Sequence, residues 1–281
     1  QRRPYSGCSL GQSQPNCLYT SVAYLSGVVN SSYHGLQTSL RKRTNHGVSF
    51  LASYVYSKSL DSNSSFNMTG GSSQDVAGEN DLAQNPFDLR AERGRSLFDQ
   101  RHRFVFSYEW QLPSLRGAPR WSRLAFGDWQ TNGILTLATG TPFTVYDSTD
   151  VALLGSTPEI SGFSASRPDL IGNPNNGPRT AQEWFNVNAF QRLNPLTQAG
   201  QFGNAGRNVT QAAGMGQLDF SAFKSFRFTE SILLQFRAEF FNVTNRVNFG
   251  LPNNNISSPT FGQVQSALPP RQIQFALKLL F

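Results

Sequence analysis

The final eleven residues, Arg271 to Phe281, constrain the chain more than any other stretch. In steps of two, Ile273, Phe275, Leu277, Leu279 and Phe281 fall on one face, and Gln272, Gln274, Ala276, Lys278 and Leu280 on the other. This is the pattern of a β-strand with one apolar face. Chain ends ordinarily fray, yet this stripe runs on to Phe281, so something must cover it. A strand of about 9 to 11 residues, apolar outward and polar inward, is the length and pattern that crosses a bilayer as one stave of a closed barrel. An edge strand of a soluble sandwich is the alternative.

Composition narrows the choice. A chain of 281 residues can bury a sizeable core, but its hydrophobic fraction of 38% is low for that size. It has 23 Phe and no uninterrupted apolar run near the length of a transmembrane helix. That excludes a helical span and leaves a barrel open, because the lumen-facing half of each barrel strand is polar and holds the mean hydropathy down, here to -0.38. The net charge is +7. Apart from Arg41, Lys42 and Arg43, and the group from Arg90 to Arg103, the cations are spread singly, which argues against a nucleic-acid-binding arm and suits an anionic lipid surface or an anionic barrel partner. Cys8 and Cys17 lie nine positions apart in a polar stretch. They suit a disulfide in an oxidising compartment, worth about 2 to 3 kcal/mol, with two free thiols as the alternative. The first residues, Gln-Arg-Arg-Pro, carry no signal-peptide pattern, and the expectation is the C-terminal part of a longer protein.

Taken in order, a Cys-containing loop with a weak strand at Leu18 to Leu25 fills residues 1–31. A hairpin is predicted over 32–59, where Leu36, Thr38 and Leu40 oppose Gln37, Ser39 and Arg41, and Val48, Phe50, Ala52, Tyr54 and Tyr56 form the second apolar row. A long polar loop covers 60–100, and two strands follow in 101–146. The first carries Phe104, Phe106, Tyr108 and Trp110 on one face, and the second carries Trp129, Thr131, Gly133, Leu135 and Leu137, with Phe143 and Val145 as its extension. A second long loop, with a short helical turn near Gln182 to Phe190, spans 147–216. Then come a hairpin over 217–243, a loop over 244–270 and the terminal strand over 271–281. Lys224 falls on the apolar face of the hairpin, where a mid-bilayer charge costs about 2 to 4 kcal/mol, so a bulge or a side chain reaching toward the headgroups is expected. Short connections alternate with long ones, as in an up-and-down barrel whose tight turns share one side of the membrane. The fold class is therefore all-β: a partial antiparallel up-and-down transmembrane β-barrel of about seven or eight strands with long extracellular loops.

Several stretches carry a resemblance. They are Tyr33 to Arg43, Gly47 to Lys58, Arg90-Ala91-Glu92-Arg93-Gly94, Phe98 to Phe104, Phe202-Gly203-Asn204-Ala205-Gly206-Arg207-Asn208 and Arg237-Ala238-Glu239-Phe240-Phe241-Asn242. In order, and with Phe281 last, they resemble the C-terminal barrel region of TonB-dependent outer-membrane transporters, in the Oar-like subgroup with a carboxypeptidase-regulatory-like domain upstream. The resemblance implies a bacterial outer-membrane receptor that takes up a bulky ligand such as a peptide, glycan or metal chelate. It implies as partners the outer-membrane lipid, the barrel-assembly machinery acting through the C-terminal strand with Phe281 as signal, and a TonB-type energy-coupling protein acting through a plug. Such transporters close about 22 strands around that plug, so this chain corresponds to the last third of one, without the plug. A structural or adhesive outer-membrane protein without transport is the rival reading. A soluble aromatic-rich β module that stacks carbohydrate or single-stranded nucleic acid is a more distant one.

Chemistry-bearing residues are sparse. His34, His46 and His102 are scattered, and only His102, near Asp99, could serve an enzyme, with Arg101 and Arg103 on either side of it. No enzyme, cofactor or metal site is expected. Arg90, Glu92, Arg93, Asp99, Arg101 and Arg103 are read as an ion-pair network on the lumen wall, because their signs nearly balance.

Overall fold

The structure, a computed structural model, describes residues 27–43, 47–64, 83–153, 166–229 and 232–281. Cys8, Cys17 and the weak strand at Leu18 to Leu25 lie outside these residues. Period-two alternation of apolar and polar side chains becomes seven long antiparallel strands: β1 (Ser31–Lys42), β2 (Val48–Asp61), β4 (His102–Gln111), β5 (Trp129–Ala138), β10 (Met215–Arg227), β11 (Leu233–Phe241) and β12 (Gln272–Leu280). Each pairs with the next along the chain, in the order β1-β2-β4-β5-β10-β11-β12, and a two-residue strand β3 (Gly94–Arg95) adds to the end of β2. Among the described residues the sheet is open, with β1 and β12 as its edges. One short α-helix, α1 (Arg120–Phe126), stands between β4 and β5.

The register aligns the faces read from sequence into one surface. Across the sheet, Leu36 pairs with Tyr56, Tyr54 with Phe104, Phe106 with Leu135, Leu135 with Leu218, Phe220 with Phe240, and Phe240 with Ile273. Paired residues point the same way, so the apolar rows of all seven strands share one face. Aromatic rings tile it: Phe50 lies 5.8 Å from Phe106, Phe220 6.0 Å from Phe240, and Phe236 6.2 Å from Phe275. Gly133 sits beneath the ring of Tyr108, which occupies the space a side chain would need and shields a strand position that is otherwise weak. The opposite face is stitched by polar pairs, with the Gln130 amide donating to Glu109 at 2.9 Å, Gln217 donating to Asp219 at 3.0 Å and Gln274 donating to Glu239.

Lys224 excludes one of the two arrangements expected for it. Its strand pairs without interruption on both sides, through Met215–Lys224 with β5 and Phe220–Arg227 with β11, so the predicted bulge is absent. The ammonium instead donates to the Gly127 carbonyl at 2.6 Å and to that of Arg123 at 3.4 Å, at the C-terminal end of α1. Carbonyls at a helix C-terminus carry partial negative charge, which is what a cation on an apolar face requires. The rings of Trp129 and Phe226 flank the ammonium, each 5.6 Å away.

The connections divide by length. Residues 43–47, 112–128 and 228–232 join strands at one end of the sheet, and the longer segments 62–101, 139–214 and 242–271 join them at the other. Phe143 and Val145 do not prolong β5, which ends at Ala138. Pro142–Phe143 (β6) turns away to pair with Thr210–Gln211 (β9), because Gly140 lets the backbone pass against the Ala212 carbonyl with no room for a Cβ. A second small pair joins Asp169–Leu170 (β7) to Phe190–Gln191 (β8).

Candidate functional site

The three long connections pack into one lobe at their end of the sheet. Phe143, Val145, Phe185, Ala189, Phe190 and Ala205 form its buried centre, with Leu251, Ile256 and Phe261 of the last connection packed against it. Phe185 meets the rings of Phe143, Phe190 and Phe261 at 5.5, 6.0 and 5.2 Å, all edge-on, the geometry that ring quadrupoles favour. Backbone bonds cross between segments, with Trp184 N donating to Gly262 O at 2.9 Å and Val264 N to Ala181 O at 2.8 Å. The predicted turn near Gln182 to Phe190 is a 3-10 turn at Val187–Ala189, capped by the Asn186 side chain.

A clasp of buried charges ties the first long connection to the second. Arg167 grips the Glu92 carboxylate through two parallel bonds of 2.8 Å, and both side chains are almost fully buried. Gln84 Oε1 accepts from Arg167 N at 2.8 Å, the Gln84 backbone N–H donates to Glu92 at 3.0 Å, and Gln84 Nε2 donates to Gly203 O at 2.7 Å. Arg207 pairs with Asp61 at the end of β2 and donates to Glu92 O at 3.0 Å. Asn208, at φ 55°, donates to Arg95 O at 2.8 Å and exchanges hydrogen bonds with Thr144 at 3.0 Å. Gly203 has no space for a side chain against the carbonyls of Arg167 and Pro168, and Gly94 none against that of Arg207. These glycines are required by close backbone approach.

The residues read as an ion-pair network are only partly brought together. Glu92 and Asp99 are buried, and the cations that meet them are Arg167 and Arg95, neither of which belongs to the predicted set. Asp99 also accepts from Ser59 N at 2.7 Å. Arg90 lies on an exposed turn capped by Asp88, Arg93 reaches Ser32 Oγ at 3.0 Å, Arg101 lies over the Tyr56 ring at 5.8 Å, and Arg103 takes the polar face of β4 opposite Val55. His102 is turned to the Tyr54 hydroxyl at 2.8 Å, whereas the Asp99 carboxylate is held by Ser59 and Arg95. Phe281 lies beyond the end of β12 and is almost wholly exposed.

A third cluster, which sequence reasoning missed, is centred on Asp147. Arg192 donates to its carboxylate at 2.7 Å, Ser257 at 2.5 Å and the Thr149 hydroxyl at 2.7 Å, which joins the second connection to the third. Burial alone would raise this carboxyl, but the bonds from Arg192, Ser257 and Thr149 together outweigh it and hold the group below the ordinary carboxylate value. Burial raises the neighbouring Tyr146 phenol. The space lined by Gln84, Asp147, Arg167 and Phe202 is too small for a ligand. Among the described residues, no group of three or more His, Cys, Asp or Glu side chains is placed to hold a metal ion.

A family model described as outer membrane beta barrel domain matches residues 1–274. No curated protein and no solved structure matches the chain.

Proposed function

Because the chain belongs to the outer membrane beta barrel domain family and resides in the bacterial outer membrane, we propose that it is the barrel portion of a TonB-dependent receptor that captures a bulky ligand at the cell surface. The observation that carries this reading is the lobe. Three long connections gather at one end of the staves and share an aromatic core and a buried clasp, which gives the outer surface a preformed shape. Among the described residues β1 and β12 are the sheet's edges, and such edges suit the addition of further staves and closure around a plug, since exposed strand edges otherwise invite aggregation.

The test uses the full-length protein, with Asp147 to Asn208 replaced by a short turn. Surface binding and uptake of the cognate peptide, glycan or chelate should be lost while the barrel still inserts and shifts in mobility on heating. Uptake that survives this replacement, or that continues after the TonB-type partner is deleted, would overturn the receptor reading. Phe281, exposed at the end of the terminal strand, is assigned to recognition by the assembly machinery. Phe281→Asp should lower the amount of inserted protein in the outer membrane, and an unchanged amount would remove that role.

One observation favours a second reading, in which the protein is structural or adhesive and transports nothing. The buried carboxylates Asp61, Glu92 and Asp99 are all met by arginines within the protein, so they brace the lobe instead of facing a ligand. No catalytic role is proposed for either reading.

A further inference from the structure

The connection between β4 and β5 lies at the short-turn end of the sheet. It carries α1, and the last carbonyls of α1 are fastened to the apolar face of the sheet. The Trp129 indole N–H donates to Ala125 O at 2.8 Å, and the Lys224 ammonium donates to Gly127 O at 2.6 Å. Trp129 and Lys224 are cross-strand partners on the face that carries Phe220, Phe236 and Leu135. The helix therefore lies against the lipid-covered side of the staves, at their short-turn end.

Its composition matches that position. Trp121, Leu124 and Phe126 are 69%, 55% and 63% exposed, although they are the large apolar residues of a seven-residue helix. Arg116, Arg120 and Arg123 stand exposed among them, with Asp128 the nearby acidic residue. Exposed aromatics beside arginines, continuous with a lipid-facing surface, are the mark of a segment lying in the headgroup zone. Three cations against one anion favour anionic headgroups.

We propose that α1 and the arginines around it form a phospholipid-binding surface that engages anionic headgroups of the membrane leaflet at the short-turn end of the barrel. Trp121, Leu124 and Phe126 enter the acyl boundary, and Arg116, Arg120 and Arg123 contact phosphate oxygens. Lys224 and Trp129 act as positioning residues, because they fix the helix to the sheet and touch no lipid phosphate themselves.

The experiment reconstitutes the full-length protein in phosphatidylcholine vesicles containing a minor fraction of brominated phosphatidylglycerol or, separately, the same fraction of brominated phosphatidylcholine. The emission of Trp121 is obtained by difference from the Trp121→Phe variant. Trp121 should be quenched severalfold more by the anionic lipid, and the triple variant R116Q/R120Q/R123Q should lose that preference while retaining quenching by both lipids. Heat-modifiable mobility of every variant verifies insertion. Absence of quenching by either lipid would put the helix in water, and equal quenching by both would remove the anionic selectivity. A preference that persists in the triple variant would remove the arginines from the site. Each of these three results overturns the proposal.

Discussion

The sheet and the lobe obey opposite rules. In β12, Phe275 and Leu277 are 67% and 68% exposed, whereas Phe143 and Phe185 in the lobe are both 0% exposed. Phenylalanine side chains thus face outward on β12 and inward at the centre of the lobe. The difference follows from the solvent each region meets. Lipid covers an apolar stripe without any help from the protein, but water does not, so the connections must fold over their own rings. Charge is divided in the same way, with the lobe burying whole ion pairs while the sheet keeps Glu109, Asp219 and Glu239 on its polar face and meets Lys224 with the end of a helix.

The comparison breaks most severely at the clasp. Arg167→Met leaves the Glu92 carboxylate buried without its partner, which should cost about 3 to 5 kcal/mol. The companion variant E92Q/R167M should recover much of that loss, because no uncompensated charge remains. Protease added to intact cells should cut the lobe of the single variant while the staves stay inserted. Equal resistance of the single variant and the unaltered protein would mean that the clasp does not hold the lobe.

A smaller effect sharpens the description of the staves. Leu277→Arg places a cation near the middle of the lipid face and should cost about 2 to 4 kcal/mol. Gln274→Arg lies three positions away on the polar face beside Glu239 and should change stability by less than about 0.5 kcal/mol. Denaturant titration of refolding into vesicles measures both. Similar costs would contradict the assignment of faces.

The smallest effect concerns acid. The folded value of Asp147 is depressed, so its contribution to lobe stability is present above the ordinary carboxylate value and is lost as pH falls through the folded one. Acid sensitivity of the join between the second and third connections should therefore appear below about pH 4, and Asp147→Asn should flatten it. Pepsin cleavage at graded pH reads this directly. An acid limb unchanged in the variant would assign it to other carboxylates.

The staves were legible because period-two alternation is a local property of the sequence. Phe104 to Trp110 and Ile273 to Phe281 each declare their outer face without reference to any other strand. The lobe was not legible, since its partners are distant: Glu92 and Arg167 are 75 residues apart and come from segments with no period. Phe185 and Phe190, close together in an insert rich in Asn, Pro and Gly, were the available signal, because buried rings need company. The alternation shows Lys224 to be out of place, but its partner α1 lies in a stretch with Pro113, Pro119 and several arginines, which reads as a plain connection. The motif around Gly203 and Arg207 is visible as a pattern, while its job of bracing Glu92 and Asp61 exists only in three dimensions.

The clasp also sets an order of events. The β10–β11 hairpin closes over a few residues, but the Arg207–Asp61 contact closes a separation of 146 residues. The entropy lost in such a closure grows with the length of chain enclosed, and distant contacts slow folding. The staves must bring the ends of β2, β5 and β10 together before Arg207 can find Asp61, so the outer lobe should be the last part to gain protection in pulsed hydrogen exchange. Its connections would then reach the far side of the membrane as unpacked chain and acquire their shape only after delivery.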